Sequence, residues 1–157
     1  EAAAIYDGKN AVQSQSYGPE ARGGASKSEV ILSDGTIDFP KATSIDLMLA
    51  LTQEACPKYC RDIKPGGTLL ADEDFVREIP GGSFRVIRLP IIRTASEVIG
   101  KAFAANIVAI GAIAAITGQV SREAVEKAVL SRVPKGTEEL NRKALVAGYE
   151  LAERRTI

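Results

Sequence analysis

The 157-residue sequence predicts an α/β fold, a three-layer sandwich with a central sheet and helices on both faces, whose C-terminal part is entirely helical. Three observations lead there. Strand-like apolar runs and helical patterns alternate up to Pro90, strand signals cease after it, and everything from Thr94 onward carries helical spacing. At this length one domain spanning 1–157 is expected, large enough to bury a core.

The elements follow in order. "EAAAIYDGKN" opens as the last turns of a helix, Glu1 to Tyr6, stopped by the turn-former "DGKN", so a preceding N-terminal piece is expected. "NAVQSQ" and "SEVILSD" read as short strands. "SIDLMLALT" is an almost continuous apolar run, the pattern of a strand covered on both faces, and is expected in the middle of the sheet. "QEACPKYCRDI" carries Ala55, Tyr59 and Ile63 at helical spacing. "KPGG" should stop that helix before the strand "TLLAD", completing a strand-helix-strand unit. A last strand, "FRVIRLP", follows the turn at Gly81 and Gly82.

The helical part divides into four runs. "TASEVIGKAF" is expected to start a helix at Thr94. "AANIVAIGAIAAITG" is apolar nearly all round and holds small residues such as Gly111 and Ala115, which marks a buried helix with Ile107, Ile110, Ile113 and Ile116 mostly covered. It falls short of the roughly 20 residues that span a bilayer, so no membrane segment is expected. In "SREAVEKAVLSRV", Ser121 is the expected N-cap and Ala124, Val125, Ala128 and Val129 form one apolar stripe. Thr137 should cap the final helix, "EELNRKALVAGYELAERR", with Leu140, Ala144, Ala147 and Leu151 along its covered side.

Composition removes several chemistries. Lysine plus arginine number 20 and aspartate plus glutamate 20, so no net basic field argues for nucleic acid. With no histidine, Ser-His and Cys-His nucleophiles are excluded within this chain, and the commonest metal ligand is missing. Cys56 and Cys60 in "CPKYC" are helical neighbours, too few for a zinc or iron-sulfur site, and read as packing thiols. Without a disulfide framework or a signal-like segment, a reducing cytoplasm is the expected setting.

The segment between the first two strands, "SYGPEARGGASKS" from Ser16 to Ser28, holds almost nothing that fills a core. Arg22 lies beside Gly23 and Gly24, and glycine amides near a guanidinium can hold a phosphate or carboxylate. It can equally be a tight connection whose Arg22 pairs with Glu20 or with solvent. It is neither a GxGxxG nor a P-loop, and the residue types alone leave both readings open.

At these residues the sequence resembles a known family. "NAVQSQSYGPEARGGASKSEVILSD" resembles the gamma subunit, or gamma domain, of 2-oxoacid:ferredoxin oxidoreductases, and "VPKGTEELNRKALVAGYELA" resembles that family's C-terminal segment. "LMLALTQEA", "KPGGTLLAD" and "AANIVAIGAIAAITG" fall in the family's order between them. The wording "SYGPEARGGAS" is more similar to the 2-oxoglutarate type than to the pyruvate type, whose segment reads closer to "FGPERRGAPV". One departure is clear: the family usually opens with a strand and a glycine-rich "GxGGQG" loop, which this sequence does not contain.

The resemblance implies a subunit of an enzyme that decarboxylates a 2-oxoacid on thiamine diphosphate, passes electrons through [4Fe-4S] clusters to ferredoxin, and releases an acyl-CoA. It implies alpha, beta and ferredoxin-like delta subunits as partners, with this chain a structural or CoA-facing component that binds no cofactor alone. It further implies Tyr17, Gly18, Arg22, Gly23, Gly24 and Ser26 as contacts to CoA or to a subunit interface, with no catalytic residue and no metal ligand here. Two other classes stay open on the residues: a free-standing α/β module for an anionic metabolite, and a structural domain that self-associates when isolated.

Overall fold

A computed structural model describes residues 1–16 and 26–156. The chain divides into two compact units, Lys9–Arg88 and a second made of Glu1–Gly8 with Leu89–Ile157.

The first unit begins with an antiparallel ribbon of β1 (Asn10–Ser16) and β2 (Lys27–Ser33), close to the two strands expected. Pairing is unbroken from Asn10 opposite Ser33 to Ser16 opposite Lys27. A three-stranded sheet follows, with β3 (Ile45–Ala50), β4 (Ile63–Asp72) and β5 (Arg85–Leu89) in that spatial order. β3 and β4 are parallel, joined through the helix α1 (Ala55–Tyr59) and a 3-10 turn over Cys60–Asp62. The unit's core gathers Met48, Ala50, Cys56, Cys60, Ile63, Leu69, Ala71 and Val76.

Two expectations change here. Among the described residues the middle strand is β4, not "SIDLMLALT": Thr68 to Asp72 are buried without interruption, while β3 exposes Asp46. Nor does "KPGG" precede the strand; Lys64, Pro65, Gly66 and Gly67 lie inside it. The register explains how. Ile45 faces Ile63 and Leu47 already faces Thr68, so β4 carries extra residues across a bulge, where a proline and a glycine at φ 78° interrupt no regular ladder. Gly66 N–H donates instead to the Ser83 carbonyl at 2.7 Å. At Gly67 a Cβ would stand 3.1 Å from the Asp46 carbonyl oxygen, so the bulge also needs a residue without one.

In the second unit a single π-type turn spans Ala2–Tyr6. Past β5 the chain turns helical at Ile91, three residues before the expected start, because Pro90 supplies the entry and its carbonyl accepts from Thr94 N–H at 2.9 Å. This short α2 (Ile91–Arg93) runs into a π-type turn over Thr94–Val98. The long helices are α3 (Ala105–Thr117), α4 (Arg122–Arg132) and α5 (Glu138–Thr156). Gly118 ends α3 in the left-handed conformation, φ 60°, as a helix-terminating glycine does.

Ser121 caps α4 as expected, its Oγ accepting from Ala124 N–H at 3.2 Å, and the stripe Ala124, Val125, Ala128 and Val129 is buried. The isoleucines of α3 divide differently from the expectation. Ile107 is buried, Ile113 and Ile116 are half-buried, and Ile110 is 38% exposed. On α5 the covered stripe is Asn141, Ala144, Leu145, Gly148, Tyr149 and Ala152, while Leu140, Ala147 and Leu151 stay half-buried. Both shifts have one cause. α3 and α5 meet through Gly111 and Gly148, and the closest face goes to the smallest residues rather than the largest. No helix among the described residues is long and apolar enough to cross a membrane.

Candidate functional site

Of the expected contact residues, Ser26 lies within the described part and is exposed, one residue before β2. Tyr17, Gly18, Arg22, Gly23 and Gly24 lie outside the described residues. The chain leaves β1 at Ser16 and re-enters β2 at Lys27, and those two residues stand opposite each other. The end of the ribbon is therefore the base from which the glycine-rich segment departs.

Alternation along the strands puts Ser14 and Ser16 on one face with Lys27 and Glu29. There Lys27 Nζ donates to Glu29 Oε1 at 2.6 Å, and Ser14 Oγ, directly across the ladder, donates to Glu29 Oε2 at 3.2 Å. The Lys27 hydrogen bond holds the Glu29 carboxyl below its ordinary value of 4.5, and the same bond raises Lys27 above 10.5. Lys27 also lies 5.6 Å from the centroid of the Tyr59 ring, within cation-π reach, and Tyr59 packs on the core. The opposite face shows Gln13, Gln15, Ser28 and Val30, all exposed, with Gln13 Nε2 donating to Ser28 Oγ at 3.4 Å.

Parallel strands tend to place ligands at their carboxyl ends. Here those ends are occupied by their own chain. Gln53 Oε1 accepts from the N–H groups of Arg77 (2.8 Å) and Glu78 (3.0 Å), and its Nε2 donates to the Glu78 carbonyl at 2.8 Å. Asp72, fully buried at the end of β4, accepts from Asp74 and Phe75 N–H through Oδ1, at 3.0 and 3.1 Å. The Arg88 guanidinium donates to the carbonyls of Val76 and Arg77. Among the described residues no cluster of three or more His, Cys, Asp or Glu is arranged to hold a metal ion.

Both cysteines are buried, and burial pushes the Cys56 thiol up, with Cys60 beside it adding to the effect. A protonated, covered thiol is neither a nucleophile nor a ligand as it stands. The trio Ser14, Lys27 and Glu29 was not singled out from the sequence. Its signal is the i,i+2 spacing of Lys27 and Glu29 on one strand face, which becomes legible only once the register brings Ser14 across.

Residues 1–151 match the family described as pyruvate ferredoxin/flavodoxin oxidoreductase. The chain is 53% identical to 2-oxoglutarate synthase subunit KorC of Methanocaldococcus jannaschii, over 97% of this chain and 82% of that protein. The crystal structure of the gamma subunit of a keto/oxoacid ferredoxin oxidoreductase from Geobacter sulfurreducens superimposes with a TM-score of 0.89 at 59% identity, covering 98% of this chain and 86% of that one. The pyruvate oxidoreductase subunit PORC of Thermotoga maritima is more distant, with a TM-score of 0.74 at 26% identity over 95% and 83% of the two chains.

Proposed function

The chain belongs to the pyruvate ferredoxin/flavodoxin oxidoreductase family, and from that premise we propose that it is the gamma subunit of a 2-oxoglutarate:ferredoxin oxidoreductase. The observation that carries the reading is the 53% identity with a 2-oxoglutarate synthase subunit along nearly the whole chain, against 26% with the pyruvate oxidoreductase subunit. The complex converts a 2-oxoacid and CoA to an acyl-CoA and carbon dioxide, with two electrons leaving for ferredoxin.

This chain's own chemistry fits a supporting part. It has no histidine to act as a base and two buried cysteines where a [4Fe-4S] cluster needs four thiolates. In this reading thiamine diphosphate and the clusters sit on the alpha, beta and ferredoxin-like delta partners that the family resemblance implies, in a reducing cytoplasm. The segment with Tyr17, Gly18, Arg22, Gly23, Gly24 and Ser26 faces that assembly. Arg22 provides a planar two-pronged donor for a CoA phosphate or a partner carboxylate, and the glycines allow close approach of the main chain.

The test is reconstitution with the partner subunits, following dye or ferredoxin reduction. Activity with 2-oxoglutarate and CoA is expected in the complex and absent from the isolated chain. Arg22→Ala should raise the KM for CoA or weaken assembly by about 1.5–3 kcal/mol, the range for a charged hydrogen bond, with little change in this chain's own Tm. Arg22→Lys should rescue poorly, since lysine lacks the fork. Turnover by the isolated chain, or a complex that prefers pyruvate, would overturn the assignment.

A further inference from the structure

The ribbon that carries the glycine-rich segment is weakly specified by ordinary means. β1 reads Asn-Ala-Val-Gln-Ser-Gln-Ser, with no charge and Val12, half-buried opposite Ile31, as its one larger apolar residue, so hydrophobic patterning alone only weakly fixes which residue of β2 stands opposite which of β1. The only charged residues of the two strands are Lys27 and Glu29. They meet on one face at the end where the segment departs, and Ser14 completes the group from across the ladder.

We propose that Ser14, Lys27 and Glu29 form a register lock, a set of positioning residues that holds Ser16 and Ser26, the two anchors of the glycine-rich segment, where that segment can serve CoA. The inference rests on the reading of the segment given above. A slip of one residue would turn Ser14 to the opposite face from Glu29 and break the hydrogen bond between them, so the trio is satisfied in a single register. The group is not a solvated surface pair: the Glu29 side chain is 12% exposed, that of Lys27 27%, and both carboxylate oxygens are engaged. Lys27 extends the lock to the unit's core through the Tyr59 ring. None of the three needs to touch substrate; they act through the placement of the segment's ends.

The experiment compares Arg22→Ala, Glu29→Gln, Lys27→Met and the Glu29→Gln/Lys27→Met double variant in the reconstituted complex, measuring kcat and the KM values for CoA and the 2-oxoacid. Glu29→Gln should raise the KM for CoA about tenfold, the ratio equivalent to one charge-assisted hydrogen bond, leaving kcat and the KM for the 2-oxoacid within about twofold. Lys27→Met should add little on the Glu29→Gln background, because the two act as a unit. Protection of the β1 and β2 amides from hydrogen exchange should fall in parallel while that of β4 holds. Where Glu29→Gln fails to assemble, Ser14→Ala, which removes one hydrogen bond and no charge, should raise the KM for CoA in the same direction by a smaller factor. A rise with Arg22→Ala but none with Glu29→Gln or Ser14→Ala overturns the lock and leaves the proposed function standing. No effect on CoA from Arg22→Ala overturns the reading of the segment as a CoA contact, and the lock's role toward CoA falls with it; no effect on assembly either overturns the segment's functional reading altogether.

Discussion

Gly111 of α3 and Gly148 of α5 lie backbone against backbone. A Cβ built on Gly111 would stand 3.2 Å from the Cα of Gly148, and one on Gly148 would stand 3.0 Å from the Cα of Gly111. Each would also run into a main-chain carbonyl of the facing helix, that of Leu145 or that of Val108. The close approach leaves Val108, Ala112, Ala144 and Leu145 sealed around the crossing.

Gly111→Ala tests that crossing. Alanine is the better helix former by about 1 kcal/mol, so propensity alone would stabilise the helix. The new methyl meets backbone, which cannot rotate away as a side chain would, and overpacking of this kind costs about 1–3 kcal/mol or more. Steric cost should win. Thermal unfolding is expected to show a lower Tm for Gly111→Ala and for Gly148→Ala, whereas Ala115→Gly, at a half-buried position of α3, should lose stability mainly through helix propensity.

The N-terminal turn is fastened to α4 by two hydrogen bonds that Ser121 donates to one carboxylate. Asp7 Oδ2 accepts from Ser121 N–H at 2.6 Å, Asp7 Oδ1 accepts from Ser121 Oγ at 2.7 Å, and the same Oγ caps the Ala124 amide. Ser121→Ala should cost about 1 kcal/mol, the usual loss of a helix N-cap, and release one of the Asp7 bonds besides. Asp7→Ala leaves the cap intact, so a smaller loss is expected in denaturant unfolding. Equal losses would mean that Asp7, not the cap, is what holds this end of α4.

Gln53 joins the end of β3 to the chain following β4 with three hydrogen bonds from one amide. Gln53→Glu keeps the acceptor for the Arg77 and Glu78 N–H groups but replaces the donor with a carboxylate oxygen facing the Glu78 carbonyl. We expect Gln53→Glu to cost more than Gln53→Ala near neutral pH and to recover on acidification, when the carboxyl regains a proton to donate. The measurement is Tm for both variants across that pH range, and a flat difference between them would count against the geometry.

Much of this architecture was legible in the sequence where local chemistry decides. β1 and β2 fall close to the short strands read in "NAVQSQ" and "SEVILSD", and Ser121 caps α4 because its side chain serves an amide three residues on. What escaped depends on partners distant in sequence. The stop signal "KPGG" became part of β4 because the register with β3 absorbs extra residues in a bulge. The covered face of α5 rotated toward Gly148 because α3 presents Gly111 there, a match between two glycines that neither helix announces by its own hydrophobic pattern. In the ribbon, Lys27 and Glu29 look like ordinary strand charges until Ser14 is brought opposite. The glycine-rich segment itself was legible through family resemblance, since its composition alone fits a turn as well as an anion contact.

The ribbon lock carries a pH signature of definite sign. Glu29 titrates below its ordinary 4.5 because Lys27 donates to it, so its contribution is present above 4.5 and is lost as pH falls through the lowered folded value. Lys27 titrates above 10.5 for the same reason, so its contribution is present below 10.5 and is lost as pH rises through the raised folded value. Between those limits the lock should be insensitive to pH. The other charged groups facing the pair, Asp62 toward Lys27 and Lys41 toward Glu29, act in the same stabilising direction. Hydrogen-exchange protection in β1 and β2, corrected for intrinsic rates, should therefore hold on acidification down to the ordinary carboxylate value of 4.5 and drop as pH falls below it, ahead of protection in β4. In Glu29→Gln the same amides should be less protected throughout, with that acid step removed. Retention of the step in the variant would show that it does not belong to Glu29 and would count against the lock.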